Sequence, residues 1–103
     1  MRKYKKEHES IYPYLHTDAS QAASFLNVNI ESLNSDLLTL DSSKIYGPKG
    51  IGVLAVKRGV KLHRLRSGTL NPALIAGFTL AFEISIKDRE KESWRLETFQ
   101  KYF

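Results

Sequence analysis

Leu37-Leu38-Thr39-Leu40 is a nearly continuous apolar run bounded by polar residues, which predicts a strand buried on both faces of a mostly parallel sheet. A second run, Ile51-Gly52-Val53-Leu54-Ala55-Val56, follows the turn Gly47-Pro48-Lys49-Gly50, so a hairpin or tight reversal should join the two strands. Upstream, Ile11-Tyr12-Pro13-Tyr14-Leu15 reads as a short strand ending near His16, with Pro13 limiting how far it pairs centrally. Asp18 with Gln21 three residues on is a capping-box variant and predicts a short helix through Ala22 and Ala23. Residues 27–35 read as a second brief helix or turn.

Beyond the second run, Gly59 closes the strand and residues 61–68 form a basic connection to Asn71-Pro72, a cap residue followed by proline at the first helical position. Ile75, Phe78, Phe82 and Ile86 then recur at spacings of three and four, one apolar stripe on a long helix. The charged segment 87–92 carries that helix toward the surface, and Trp94 and Phe99 are expected to dock its continuation. Three short strands with little more than one long helix to cover them make an α/β arrangement that reads as part of a larger domain. Residues 1–103 are therefore expected to form a single partial domain that exposes apolar surface and edge strands or dimerises.

Composition narrows the chemistry. At 103 residues and 11.8 kDa, with 42% hydrophobic and 26% charged residues, the chain is ordinary globular material of about one domain. It contains no cysteine, so it supplies no disulfide, no cysteine-based metal site and no thiol nucleophile. No apolar run approaches the roughly 20 residues of a membrane helix, and no signal-peptide apolar core follows the basic N-terminus, which leaves the cytoplasm as the expected compartment. The formal charge of +5 raises a competing reading. In it, a small basic module uses Arg2, Lys3, Lys5, Lys6, Lys57, Arg58, Lys61, Arg64 and Arg66 to contact nucleic acid or an acidic protein. A basic run is ordinarily a solvated face, however, and the aromatic residues form no evident stacking platform.

Lys44 stands just past the end of an apolar strand, where α/β folds place ligands. A lysine partly desolvated there can form a Schiff base with a carbonyl cofactor, although a lone turn lysine is ordinarily solvated. Asp18 likewise stands past the end of a strand; pyridoxal phosphate enzymes need a carboxylate against the pyridine nitrogen of that cofactor, and Gln21, three residues on, could donate to its ring hydroxyl. Helix capping alone accounts equally well for that pair. The Gly-Pro-Lys-Gly-Ile-Gly turn lacks the spacing of a nucleotide-binding loop.

Together, His16-Thr17-Asp18-Ala19-Ser20-Gln21-Ala22, Asp36-Leu37-Leu38-Thr39-Leu40 and Ser42-Ser43-Lys44-Ile45-Tyr46-Gly47-Pro48-Lys49-Gly50-Ile51-Gly52 resemble the cysteine desulfurase branch of the class V aminotransferases in order and spacing. Arg66-Ser67-Gly68-Thr69 before an apolar helix resembles the next signature of that family. The resemblance implies a partial three-layer α/β/α sheet from the middle of a pyridoxal 5'-phosphate-dependent transferase large domain, ending in a long helix. It also implies the site. Lys44 would be the lysine joined to pyridoxal 5'-phosphate, Asp18 the partner of its pyridinium and Gln21 the donor to its ring oxygen. Ser42 and Ser43 would lie at its phosphate, and Thr69 would reach the phosphate held by the other subunit of a homodimer. The complete enzyme would convert cysteine to alanine and pass sulfur to an acceptor protein, such as an iron-sulfur scaffold, or to tRNA thiolation. A non-catalytic subunit docking on a full-length desulfurase is a related alternative.

Three departures accompany the resemblance. Family members commonly carry Ser, one residue and His before the lysine, where this chain has Asp41, Ser42 and Ser43. A carboxylate at Asp41 repels a phosphate unless it turns away or pairs with a cation such as Lys49. The glycine-rich segment expected before Arg66 is shortened at His63-Arg64-Leu65-Arg66, and His63 reads as a loop histidine. Finally, the chain is expected to be about a quarter of such an enzyme, inactive alone without the thiol that attacks the substrate sulfur.

Overall fold

The computed structural model describes residues 13–63 and 68–102. Three strands form one mixed sheet in the order β1-β2-β3: β1 is His16–Asp18, β2 Leu37–Asp41 and β3 Gly52–Val56. β1 pairs parallel to β2, with His16 opposite Leu37 and Asp18 opposite Thr39. β2 pairs antiparallel to β3, from Leu37 opposite Val56 to Asp41 opposite Gly52, so the expected reversal between the two apolar runs is present.

Its connection begins with a 3-10 turn, Ser42–Ile45, whose last residue is followed by Tyr46 in the left-handed region at φ 63°. The Tyr46 ring is almost fully exposed there.

The period of two along the strands gives the sheet unlike faces. Leu38 and Leu40 are buried and face the long helix Pro72–Gln100 and the turns after β1, whereas Leu37, Thr39 and Asp41 occupy the opposite, half-exposed face. β2 is thus not buried on both sides. The described residues supply the sheet and one covering layer; a second covering layer is not formed among them.

The core on the covered side joins Ala19, Ala23, Val28, Leu38, Leu40, Ile45 and Phe78, with Ala81 and Phe82 packed against it. Burying Leu38 or Leu40 contributes about 1.5–3 kcal/mol each, so this small cluster carries much of the fold's stability.

Helix α1 spans Pro72–Gln100 and starts as its sequence predicts. Asn71 Oδ1 accepts from the backbone N–H groups of Ala73 and Leu74 at 3.0 and 3.4 Å, and Pro72 follows where no donor is needed. Phe78 is buried and stacks on Phe82 at a centroid separation of 5.9 Å, while Ile75 and Ile86 at the edges of the stripe stay exposed. The charged segment does more than reach the surface, since Arg89 Nε donates to the carbonyl of Ala23 at 3.3 Å. Ser93 Oγ then donates to the carbonyl of Phe25 at 2.7 Å, tying the second half of α1 to the turns after β1.

Several expectations are corrected. The strand before Asp18 is displaced toward the C-terminus: it begins at His16, residues 13–15 are not strand, and Ile11 and Tyr12 lie outside the described residues. Leu15 nevertheless accepts from the backbone N–H groups of Asp36 and Leu37, which aligns β1 on β2. Residues 20–25 form turns rather than a helix: Asp18 Oδ1 accepts from the N–H of Ser20, and the carbonyls of Ala23 and Phe25 accept from Arg89 and Ser93 of the distant helix. Trp94 and Phe99 do not dock; both are exposed, and the Phe99 ring lies under the Arg95 guanidinium at 5.6 Å.

Candidate functional site

β1 and β2 run parallel, so both end at the same edge of the sheet, where carboxyl ends of strands gather ligand-binding groups. Asp18 is the last residue of β1, and Asp41 ends β2 and caps the 3-10 turn that contains Lys44. The strand period then puts His16, Asp18, Thr39 and Asp41 on the open face of the sheet. His16 Nε2 and Thr39 Oγ1 are hydrogen-bonded at 2.6 Å on that face. A cavity of about 570 Å³ opens beside them, lined in part by Asp18, Ser20, Thr39, Asp41, Ser43 and Lys49.

The two carboxylates of the cavity differ in partners. Asp18 Oδ1 accepts from the Ser20 N–H at 3.0 Å. Hydrogen bonds from the side chain and backbone of Ser20 hold its carboxyl below the ordinary 3.8, His16 lowers it further, and desolvation opposes both. Asp41 Oδ1 accepts from both Ser43 Oγ and Ser43 N–H at 2.8 Å each. Those two bonds lower its carboxyl as well; the nearby Lys44 charge adds to the effect, and Asp18 works against it. Asp41 therefore stands within electrostatic reach of both Asp18 and Lys44.

The six residues singled out by the resemblance are not all brought together. Asp18 and Ser43 line the cavity. Lys44 is exposed in the adjoining 3-10 turn and does not line it, and Gln21 is exposed in the turn after β1 and does not line it either. Ser42 is fully buried, and its Oγ has no hydrogen-bond partner. That hydroxyl faces Gly47, where an added Cβ would lie 2.3 Å from it, so the glycine makes room for the turn.

Thr69 lines a second cavity of about 390 Å³ with Leu70, Asn71 and Phe78, and Gly50, Ile51 and Gly52 border both cavities. Arg66 and Ser67 lie outside the described residues, as do Arg2, Lys3, Lys5, Lys6 and Arg64 of the proposed basic face. Of the described basic residues, Lys57 is paired with Glu31 at 2.9 Å.

Sequence reasoning missed Thr39, Ser20 and residues 50–52 as parts of the cavity wall. The alternation of Leu37, Thr39 and Asp41 along β2 carries the signal for Thr39, and reading the strand as buried on both faces conceals it. A separate cleft of about 320 Å³ lies between α1 and the Ile45-Tyr46 turn, bordered by Ser24, Asp88, Lys91, Glu92 and Arg95. It contains none of the six. Among the described residues no group of three or more His, Cys, Asp and Glu is placed to hold a metal ion, and no helix is long and apolar enough to cross a membrane.

Comparison with known proteins gives this arrangement a context. The family profile described as aminotransferase class-V matches residues 3–70. The chain is 40% identical over 100 residues to the cysteine desulfurase IscS of Dictyoglomus turgidum, a stretch that covers 87% of this chain and 25% of that protein. It is 41% identical over 91 residues to the mitochondrial cysteine desulfurase of Saccharomyces cerevisiae, covering 77% of the chain and 18% of the relative. For cysteine desulfurase IscS 1 of Archaeoglobus fulgidus the figures are 40% over 92 residues, 80% and 24%. The chain thus spans a quarter or less of the length of these curated relatives.

Proposed function

Because the chain belongs to the class V aminotransferase family and aligns as a short segment of cysteine desulfurases, we propose that it is one partial domain, residues 1–103, of a pyridoxal 5'-phosphate-dependent cysteine desulfurase. The observation that carries this reading is the parallel register of β1 and β2, which puts Asp18 and the Lys44 turn at one edge of the sheet. When bound, the cofactor supplies a carbonyl that an amine can capture and a ring that accepts electrons from a substrate carbon.

The residues present fit the ring half of that group. Asp18 is held ionised by Ser20, as a partner to a protonated ring nitrogen must be, and sits at a strand end. Lys44, exposed one turn beyond the neighbouring strand, would turn toward the ring to capture the carbonyl and to move a proton at the substrate's α-carbon. Gln21 would turn toward the ring oxygen.

Among the described residues, the two serines of the turn do not fit the phosphate half. Ser42 Oγ is buried against Gly47, and both donors of Ser43 are occupied by Asp41. Thr69 borders the second cavity, and in a homodimer it would reach the phosphate held by the other subunit.

With no cysteine in its sequence, this chain holds the cofactor ring and does not attack sulfur. The thiol would come from another part of the enzyme. The complete homodimer would work in the cytoplasm, converting cysteine to alanine and handing sulfur to an acceptor protein such as an iron-sulfur scaffold. Titrating the purified chain with pyridoxal tests the reading. A visible absorbance band should saturate, vanish in Lys44→Ala and need roughly tenfold more aldehyde in Asp18→Asn, a loss of about one pKa unit's worth of interaction. A band that persists in Lys44→Ala would overturn it.

A further inference from the structure

We infer that Asp41 is an internal anion that takes the Ser43 donors, so that this cavity discriminates against phosphorylated ligands and in favour of their unphosphorylated counterparts. The inference rests on the reading of this face as a cofactor site but concerns a different residue and a different part of the ligand.

The geometry is specific. Asp41 Oδ1 takes the amide and the hydroxyl of Ser43 at 2.8 Å each, which leaves that residue no free donor. The other serine of the turn, Ser42, is sealed off from the cavity, fully buried with its hydroxyl toward Gly47. An incoming phosphate must therefore break two charge-assisted hydrogen bonds and then sit beside the carboxylate it displaced.

The wall adds to the opposition. Asp18 contributes a second carboxylate to the lining, where Lys49 is the one cation among the described residues, while Lys44 acts on Asp41 from the turn outside it. An uncharged hydroxymethyl group in place of the phosphate meets no such repulsion. It can accept or donate weakly at the rim without disturbing the Asp41–Ser43 pair.

Asp41→Asn keeps an acceptor oxygen for Ser43 and removes the charge, which separates electrostatics from capping. Inorganic phosphate is titrated into the ¹⁵N-labelled chain while the Ser43 amide resonance is followed. The variant should show a saturable shift at roughly tenfold lower phosphate than the wild type, the scale set by one unit charge facing a phosphate across a few ångströms of exposed cavity. Equal titrations of the two proteins would overturn the inference.

A second variant, Asp41→Ser, also removes the charge and in addition frees both Ser43 donors, so it should tighten phosphate binding at least as much. No gain there would count equally against the inference, even if Asp41→Asn failed to fold. Trapping at Lys44 with borohydride then compares pyridoxal with pyridoxal 5'-phosphate. Asp41→Asn should raise the ratio of phosphorylated to unphosphorylated adduct roughly tenfold by the same electrostatic argument, and an unchanged ratio would refute it. Failure of both aldehydes to label Lys44 would sink the Lys44 reading and leave the phosphate titration to decide the role of Asp41.

Discussion

Gly47→Ala should destabilise the fold, and the structure says through which atoms. A methyl group at this position would stand 2.3 Å from Ser42 Oγ, 3.0 Å from Ala81 Cβ and 3.1 Å from the Ser42 carbonyl oxygen. Each is tighter than an ordinary contact, and Ser42 is completely buried, so the hydroxyl cannot swing into solvent. Overpacking of this kind costs about 1–3 kcal/mol. Ser42→Ala removes the nearest obstacle and also a buried hydroxyl without a partner, which should stabilise the chain by about 1 kcal/mol. In the double variant the remaining contacts of 3.0 and 3.1 Å need only small shifts. The two substitutions should therefore couple favourably by about 1–2 kcal/mol instead of adding. Urea denaturation followed by far-ultraviolet circular dichroism measures all four corners of the cycle. Additive effects, or a Gly47→Ala variant within about 0.5 kcal/mol of the wild type, would refute the packing argument.

Other outcomes follow from the same structure. Asn71→Ala removes the acceptor of two backbone donors and should cost about 1 kcal/mol, seen as lost helicity in the same denaturation curves. Phe78→Ala empties the contact between α1 and the sheet; a cost of about 3–5 kcal/mol would leave little folded protein, and a well-folded variant would contradict the assigned core. Asp18 and Asp41 both titrate below 3.8 in the folded chain. Their stabilisation is thus complete above the unfolded value and is lost as the pH falls below about 4 through the folded values. The urea midpoint should drop across that range, and Asp41→Asn should flatten the drop.

Much of the framework is legible in the sequence because local chemistry decides it. Asn71-Pro72 specifies a helix start without outside help, and the Gly-Pro-Lys-Gly turn between two apolar runs specifies the reversal. The misreadings arise where tertiary contacts decide. Asp18 and Gln21 look like the ends of a capping box, yet the chain after Asp18 is held in turns by bonds from Arg89 and Ser93, more than sixty residues away. The Leu-Leu-Thr-Leu run looks apolar throughout, and only the register with β1 and β3 separates its buried leucines from the open face of Thr39 and Asp41. At the site, residue identities are legible but partners are not. Asp41 is visible as a charge near a phosphate position, whereas its two bonds to Ser43 depend on the 3-10 geometry of the turn.

We propose Lys44 as the amine of a cofactor site shared with Asp18. Mixing the intact chain with pyridoxal, reducing with borohydride and mapping the adducts by mass spectrometry tests it most directly. Modification should concentrate at Lys44 and be abolished there by Lys44→Ala, with Lys49, Lys57 and Lys87 largely unmodified. Adducts spread evenly over the surface lysines and unchanged by the substitution would contradict it.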